Sequence, residues 1–413
     1  MFECPGEYMG SRFRIFITLL CRYSTLIMTH TYLIQLLKTL SAEEKKEVLL
    51  FTASPFFNRG KLSEDAHRLL QIILNEAGQH PEWDFDKVRL YQQLLPGEPY
   101  IEGKLEKIMA DLNKMIRTFL TVNLYLDDTN QFQQTLDLAQ ILRKRGLESR
   151  YHTQLKKLND IRSATIASTT DLQYKQFLLE HEYYDWESLN NRKKGDLNIP
   201  EVIKRLDLYY YTYRLELLNH LLLQFRVTKV EEMTPFGYLA QEPAIPSRYL
   251  DAAPLLLITE KIHRLLTAAD PKVSDFFILA NLLSQHENRI GPETLQRIYT
   301  FFRSLCAHFI NSGYDDLLPV LHRINCKNIE KGYLYYEGKI SSGAIANVTN
   351  VALLVGEAEW ARDFIESHKD SVIGDNETRD FYRLNLASYY FFVKNFDAAL
   401  DLIPSGSQDT EYH

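Results

Sequence analysis

Apolar residues recur every three or four positions through most of this chain, in short runs that end at tight polar corners. Phe381 to Pro404, FYRLNLASYYFFVKNFDAALDLIP, shows the plan most fully. Leu386, Ala387, Tyr390 and Phe391 fall on one side of a helix with 3.6 residues per turn. Lys394 and Asn395 form the corner. Phe396, Ala399, Leu400 and Ile403 make a second stripe, and Pro404 ends it because proline cannot continue the backbone ladder. Small side chains at Ala387 and Ala399 let the two helices approach, and Tyr390 and Phe396 fill the space beside them.

The same plan recurs upstream. Ala344 to His368 reads as a helix, a Gly356-Glu357 turn, and a second helix carrying Trp360, Ala361, Phe364 and Ile365. Ile298 to Ile324 reads as a helix, a Ser312-Gly313-Tyr314 turn, and a helix carrying Leu317, Leu318 and Leu321. Ala361 to Ala399 is a step of 38 residues and Leu317 to Ala361 a step of 44, so the period drifts. The Phe381–Pro404 unit resembles a tetratricopeptide repeat in its turn aromatic (Phe396), the small residue three on (Ala399), the aromatic before the turn (Tyr390) and the closing proline (Pro404). It departs at Lys394, where that family has glycine, and at Arg383, where it has tryptophan. The alternative is an irregular helical bundle whose hairpins look alike.

The expected fold is therefore all-α: a small N-terminal helical domain followed by a tetratricopeptide-like α-solenoid of helical hairpins. Tyrosine (25) and phenylalanine (22) outnumber glycine (17) and proline (14), and so few breakers favour helices over many-turned sheet. Apolar residues at 45% and charged residues at 24% match a globular chain. The net charge of −7 argues against general nucleic-acid binding, which needs a basic face. Cys4, Cys21, Cys306 and Cys326 have no metal-ligand or CxxC spacing. They read as free thiols in a reducing, cytoplasmic setting, with Cys306 a buried thiol among Phe302, Leu305 and Phe309.

Residues 1–27 depart from this helical pattern. Phe13 to Ile27 is apolar but too short to span a bilayer, and Arg14 and Arg22 interrupt it. Glu3 and Glu7 precede it and no small-residue cleavage site comes after it, which argues against a signal peptide. Translation from Met28 is the expectation.

The expected N-terminal domain spans 28–126. Tyr32 to Leu40 is a short helix. Ser41-Ala42-Glu43-Glu44 is a capping box opening a helix that ends by Ser54, before Pro55. The Ser54-Pro55-Phe56-Phe57-Asn58 turn should tuck both aromatics inward. Helices come next at Glu64 to Glu76 and Asp84 to Leu95, with Pro96-Gly97-Glu98-Pro99 as a break. Leu105 to Leu126 is long, with Leu105, Ile108, Met109, Leu112, Met115, Ile116 and Phe119 at helical spacing. The strings SPFFN, LYQQLLPGEPY and KLEKIMADLNKMIRTFL resemble the opening of an uncharacterised family of all-helical Bacteroidota proteins with a tetratricopeptide-like remainder. That resemblance implies no activity. It does imply a C-terminus that continues further, so the 255–413 repeats would be truncated. Near-equal numbers of acidic and basic residues argue against reading the helices around Pro96 to Pro99 as a DNA-binding helix-turn-helix.

Helical hairpins are expected over 127–233. Arg143, Lys144, Arg145, Arg150, Lys156, Lys157 and Arg162 form the most basic run, with Tyr151, Tyr174, Tyr183, Tyr184 and Trp186 interleaved or following. A basic groove with aromatics suits single-stranded nucleic acid or an acidic peptide. The alternative is a polar outer face with aromatics at helix contacts. Glu201 to Lys229 is a strong helix with Leu206, Tyr209, Tyr210, Tyr213, Leu217, Leu221 and Leu222 along one side. Thr234 to Pro254 holds five prolines or glycines and reads as a linker.

No GxGxxG, GxxxxGK[ST], GxSxG or HExxH occurs, so no catalytic, cofactor or metal residue is expected. Glu180-His181-Glu182 is the nearest to a ligand cluster, but adjacent helical residues diverge and a solvated face is the expectation. The leading functional reading is a non-enzymatic scaffold that binds a peptide or partner helix, with Tyr209, Tyr213 and Tyr390 on the binding surface. The alternative is a nucleic-acid-binding or regulatory protein using Arg143, Lys144 and Arg145 within 143–162.

Overall fold

The computed structural model describes residues 31–78, 83–164, 168–190, 197–228, 243–369 and 378–403. The leader, residues 234–242 of the expected linker and the C-terminal tail lie outside the described residues. Among the described residues, eighteen α-helices account for almost all of the secondary structure, so the chain is all-α. It divides into two compact units, one ending at Asp137 and the other beginning at Leu138.

The first unit packs α1 (Tyr32–Thr39), α2 (Ala42–Ala53), α3 (Ser63–Ala77) and α4 (Lys87–Leu94) around the long α5 (Lys104–Leu126). The capping box at Ser41 forms in full: its hydroxyl accepts from the Glu44 N–H at 3.1 Å, and its own N–H donates to the Glu44 carboxylate at 2.7 Å. The seven apolar residues singled out on α5 are all buried. The SPFFN turn splits its aromatics. Phe57 stacks on Phe51 at 4.0 Å between ring centroids, whereas Phe56 stays exposed under the Arg59 guanidinium. Two consecutive side chains of a tight turn point apart, so only one can enter the core.

The second unit runs from within α6 (Gln131–Lys144) through α7 (Glu148–Ala164), α8 (Thr170–Asn190) and α9 (Ile199–Thr228). The short α10 (Ser247–Ala252) is next, then α11 (Pro254–Thr267), α12 (Val273–His286), α13 (Pro292–Asn311) and α14 (Leu318–Glu330). It ends with α15 (Ser342–Leu354), α16 (Ala358–Ser367), α17 (Thr378–Phe392) and α18 (Phe396–Leu402). Each of α11 to α18 packs mainly on helices near it in sequence, α13 on α14, α15 on α16 and α17, α17 on α18. The buried side chains are grouped in the same way: one core joins α11 to α14, and a smaller one joins α15 to α17.

Several hairpin corners share one geometry. The N–H just past the turn closes back onto a carbonyl five residues earlier, Leu147 onto Leu142, Glu357 onto Ala352 and Asn395 onto Tyr390. That closure puts the preceding residue in the left-handed region. Gly356 sits there at φ 88°, where glycine has no steric cost. Lys394 does so at φ 64°, at a cost on the order of 1 kcal/mol for a residue with a Cβ.

The drifting period has a local cause. A two-stranded hairpin, β1 (Tyr335–Tyr336) with β2 (Lys339–Ile340), lies between α14 and α15 and takes up residues that a plain corner would not need. Its turn residues Glu337 and Gly338 both have positive φ, as a tight hairpin requires. The proline-rich stretch is described from residue 243 onward. Its second half folds as α10, where Tyr249 is buried and its hydroxyl donates to Asp207 at 2.7 Å.

Candidate functional site

The first helices of three successive hairpins, α13, α15 and α17, line a groove in the second unit. Its wider end is a cavity of about 780 Å³ walled by Leu353, Leu354, Leu384, Phe391, Phe396 and Leu400. Its narrower end, about 400 Å³, is lined by Thr300, Arg303, Ser304, Asn325 and Asn347, with Leu223 of α9 and Leu321 of α14 beside them. Asn350 lines both cavities, so the two adjoin at that residue. No acidic side chain lines either end.

The apolar end arises because the last stripe has no cover among the described residues. On α16, Ala361, Phe364 and Ile365 are buried under neighbours. On α18 only Ala399 is buried. Leu400 is 66% exposed, and Phe396 and Ile403 are also exposed. Phe391 of α17 is 65% exposed and meets Phe396 edge-to-face at 5.6 Å. Tyr390 turns the other way, half-buried against Tyr389, and does not line the groove.

The polar end has an uncommon charge balance. Arg303 is half-buried, and burial pulls its guanidinium pKa below the ordinary value. No described carboxylate forms an ion pair with it. Asn325 is 2% exposed and its side chain makes no hydrogen bond with any described residue.

A second exposed surface lies on α9. Ile199, Ile203, Leu206, Tyr210, Tyr213 and Leu217 are all exposed, at steps of four, three, four, three and four. Tyr213 is therefore at the surface, while Tyr209 is half-buried, stacked on Tyr213 at 5.8 Å and next to Tyr174 at 5.1 Å. The opposite side of α9 is the buried one: Leu208, Thr212, Leu215, Leu218 and Asn219.

The basic run is largely taken up internally. Arg143, whose side chain is only 12% exposed, donates to both carboxylate oxygens of Glu182 at 2.7 and 3.2 Å and to Asp185 at 3.0 Å. Arg162 pairs with Glu180 at 3.4 Å. Lys144, Arg145, Arg150, Lys156 and Lys157 are set toward the surface. The acidic partners correct the reading of Glu180 and Glu182 as a solvated face. Both are buried on α8, Glu182 under Arg143 and Tyr151, Glu180 against Arg162 and Asn198. Opposite charges brought together across helices offset the cost of burying either one alone. Arg143 thus has a structural partner and is not a free recognition cation. Tyr151 is buried and stacks on Trp186 at 4.7 Å, so these aromatics form a helix contact.

Burial pushes the Cys306 thiol up to about 12, which keeps it protonated at neutral pH. Among the described residues no group of three His, Cys, Asp or Glu side chains is placed to hold a metal ion. Among those residues, too, no helix is long and apolar enough to cross a membrane.

Sequence reasoning passed over Arg303, Asn325, Asn347 and Asn350. Asn325 had a readable signal: it lies four residues after Leu321 on the buried stripe of α14, where an apolar residue is the rule. Comparison of the chain with protein-family models, with curated proteins and with solved structures returns no match in any of the three.

Proposed function

We propose that the second unit is a tetratricopeptide-like solenoid acting as a non-enzymatic cytoplasmic scaffold, and that it holds a peptide along the groove of α13, α15 and α17. The observation that carries this reading is the run of exposed apolar side chains from Leu354 to Leu400, adjoining at Asn350 a polar end free of carboxylates. Apolar patches of this kind on a protein surface mark places where another molecule docks. A peptide with apolar side chains at one end and polar groups at the other matches both halves. The cytoplasmic setting is supported by Cys306 and Cys326, both free thiols. The nucleic-acid reading draws less support, because Glu182, Asp185 and Glu180 engage two of its arginines.

The test is a selection of displayed random peptides on the full chain, followed by fluorescence anisotropy of the recovered sequences. Leu354→Asp with Phe391→Asp should weaken them at least tenfold, since both side chains are exposed and their replacement leaves the fold intact. Failure to recover peptides above background, or recovered peptides indifferent to both substitutions, refutes the groove as the binding surface. Binding to single-stranded DNA that falls steeply with salt and depends on Lys144 and Arg145 would support the nucleic-acid reading instead.

A further inference from the structure

We infer that the narrow end of the groove is an oxyanion site, where Arg303 and the amides of Asn325, Asn347 and Asn350 receive a carboxylate or phosphate group. That the anion arrives on a peptide rests on the scaffold reading; the anion site itself does not.

Three independent features converge there. First, Arg303 is an ion-pair donor without a described partner. A guanidinium withdrawn from water is costly unless a carboxylate or phosphate answers it. Two other half-buried arginines have such an answer: Arg143 in Glu182 and Asp185, Arg162 in Glu180. Second, Asn325 is almost completely buried, its side chain has no hydrogen-bonding partner among the described residues, its Oδ1 is left as an unanswered acceptor, and it lines the same cavity. Buried amides are normally paired, and an exception points to a missing ligand or water. Third, the lining carries donors and no opposing charge: the guanidinium, three asparagine amides and the Ser304 hydroxyl, with no Asp or Glu.

The chemistry favours an oxyanion over a neutral group. The guanidinium presents a planar fork of N–H donors that matches two oxygens of a carboxylate or phosphate. Asparagine amides add neutral donors around it. The Asn325 oxygen has no described donor, and it suits an N–H next to the anionic group, such as the last peptide unit before a free C-terminus. About 400 Å³ is room for such a group with one or two residues attached.

The experiment uses the full chain and two simple probes, inorganic phosphate and acetate, each against sodium chloride at equal ionic strength. The readout is the thermal unfolding midpoint. A ligand that binds only the folded state raises that midpoint, so one or both probes should raise it by about 2–4 °C. Arg303→Met should abolish the rise, and in chloride it should melt no lower than the unsubstituted chain, because it removes a half-buried charge that has no described partner. Asn347→Ala with Asn350→Ala, both at the groove surface, should reduce the rise by half or more. A rise with acetate alone assigns the site to carboxylates, and a rise with phosphate alone assigns it to phosphorylated ligands.

No rise with either probe overturns the proposal. So does a rise that survives Arg303→Met, or a midpoint in chloride that drops several degrees in that variant, since the last marks Arg303 as structural. Failure of the scaffold reading is separable. Leu354→Asp with Phe391→Asp removes the apolar end and should leave the anion-dependent rise untouched.

Discussion

α5 and α9 are both long and densely apolar, yet they obey their sequence patterns differently. Between Leu105 and Phe119 of α5 the buried apolar residues form one stripe, and charges such as Lys107, Asp111, Lys114 and Arg117 occupy the rest of the surface; Leu124, Tyr125 and Leu126 at its C-terminal end are exposed. Only one orientation buries the stripe, and all seven residues from Leu105 to Phe119 are inside. On α9 apolar residues surround the helix. The side with Leu206, Tyr210, Tyr213 and Leu217 is exposed, and the side with Leu208, Leu215 and Leu218 is packed against α8 and α11. The buried side even carries Thr212 and Asn219. Thr212 donates its hydroxyl to the Leu208 carbonyl at 2.8 Å, and Asn219 donates to the Thr259 carbonyl at 3.1 Å while its oxygen meets His263 at 2.8 Å. A buried polar group with partners costs little, so polarity alone does not keep a residue outside. Periodicity locates a helix; it selects the packed face only when the other face is charged.

The largest effect should come from α5. Leu112→Ala empties space in a close-packed core and should cost about 3–4 kcal/mol of stability in urea unfolding of the full chain. Leu112 is fully buried, with no route for neighbouring side chains to relax without losing contacts of their own. A loss under about 1 kcal/mol would mean that α5 is not the centre of the first unit, and the contrast with α9 would lose its reference.

A smaller but more diagnostic effect should come from Asn219→Ala. The substitution removes one partner from each of two buried groups, the Thr259 carbonyl and the His263 ring, and should cost about 1–3 kcal/mol. A neutral result would show that the polar residues on the buried face of α9 are tolerated, not paired. The face would then have been set by the leucines alone.

Much of the architecture was legible in the sequence. The Ser41 box, the α5 stripe and the corners at Gly313 and Gly356 depend on interactions within a few residues, and each forms where the pattern puts it. What was not legible depends on partners far along the chain. Glu182 reads as surface until Arg143, 39 residues earlier, is folded onto it. Arg303 and Asn325 belong to different helices, and nothing in either segment announces that they share a cavity with Asn347. The same holds for the last hairpin: Phe396, Leu400 and Ile403 read as core by spacing, and whether a stripe is covered depends on a neighbour that the stripe does not encode.

The smallest effect should come from the exposed side of α9, and it decides what that side is for. Leu206→Ser with Leu217→Ser exchanges two exposed side chains, so the change in stability should stay within about 0.5 kcal/mol. The steps of four and three from Ile199 to Leu217 are those of a seam that receives another helix. A stability change near zero leaves this seam open as a second docking face. A loss above about 1.5 kcal/mol would mean the leucines are covered in solution, and the melting midpoint should then rise with protein concentration, as it does when copies of a chain bury each other's surface. The two outcomes separate a face held free for a partner helix from one already closed by self-association. In the second case α9 would be packed on both faces, where α5 between Leu105 and Phe119 is packed on one.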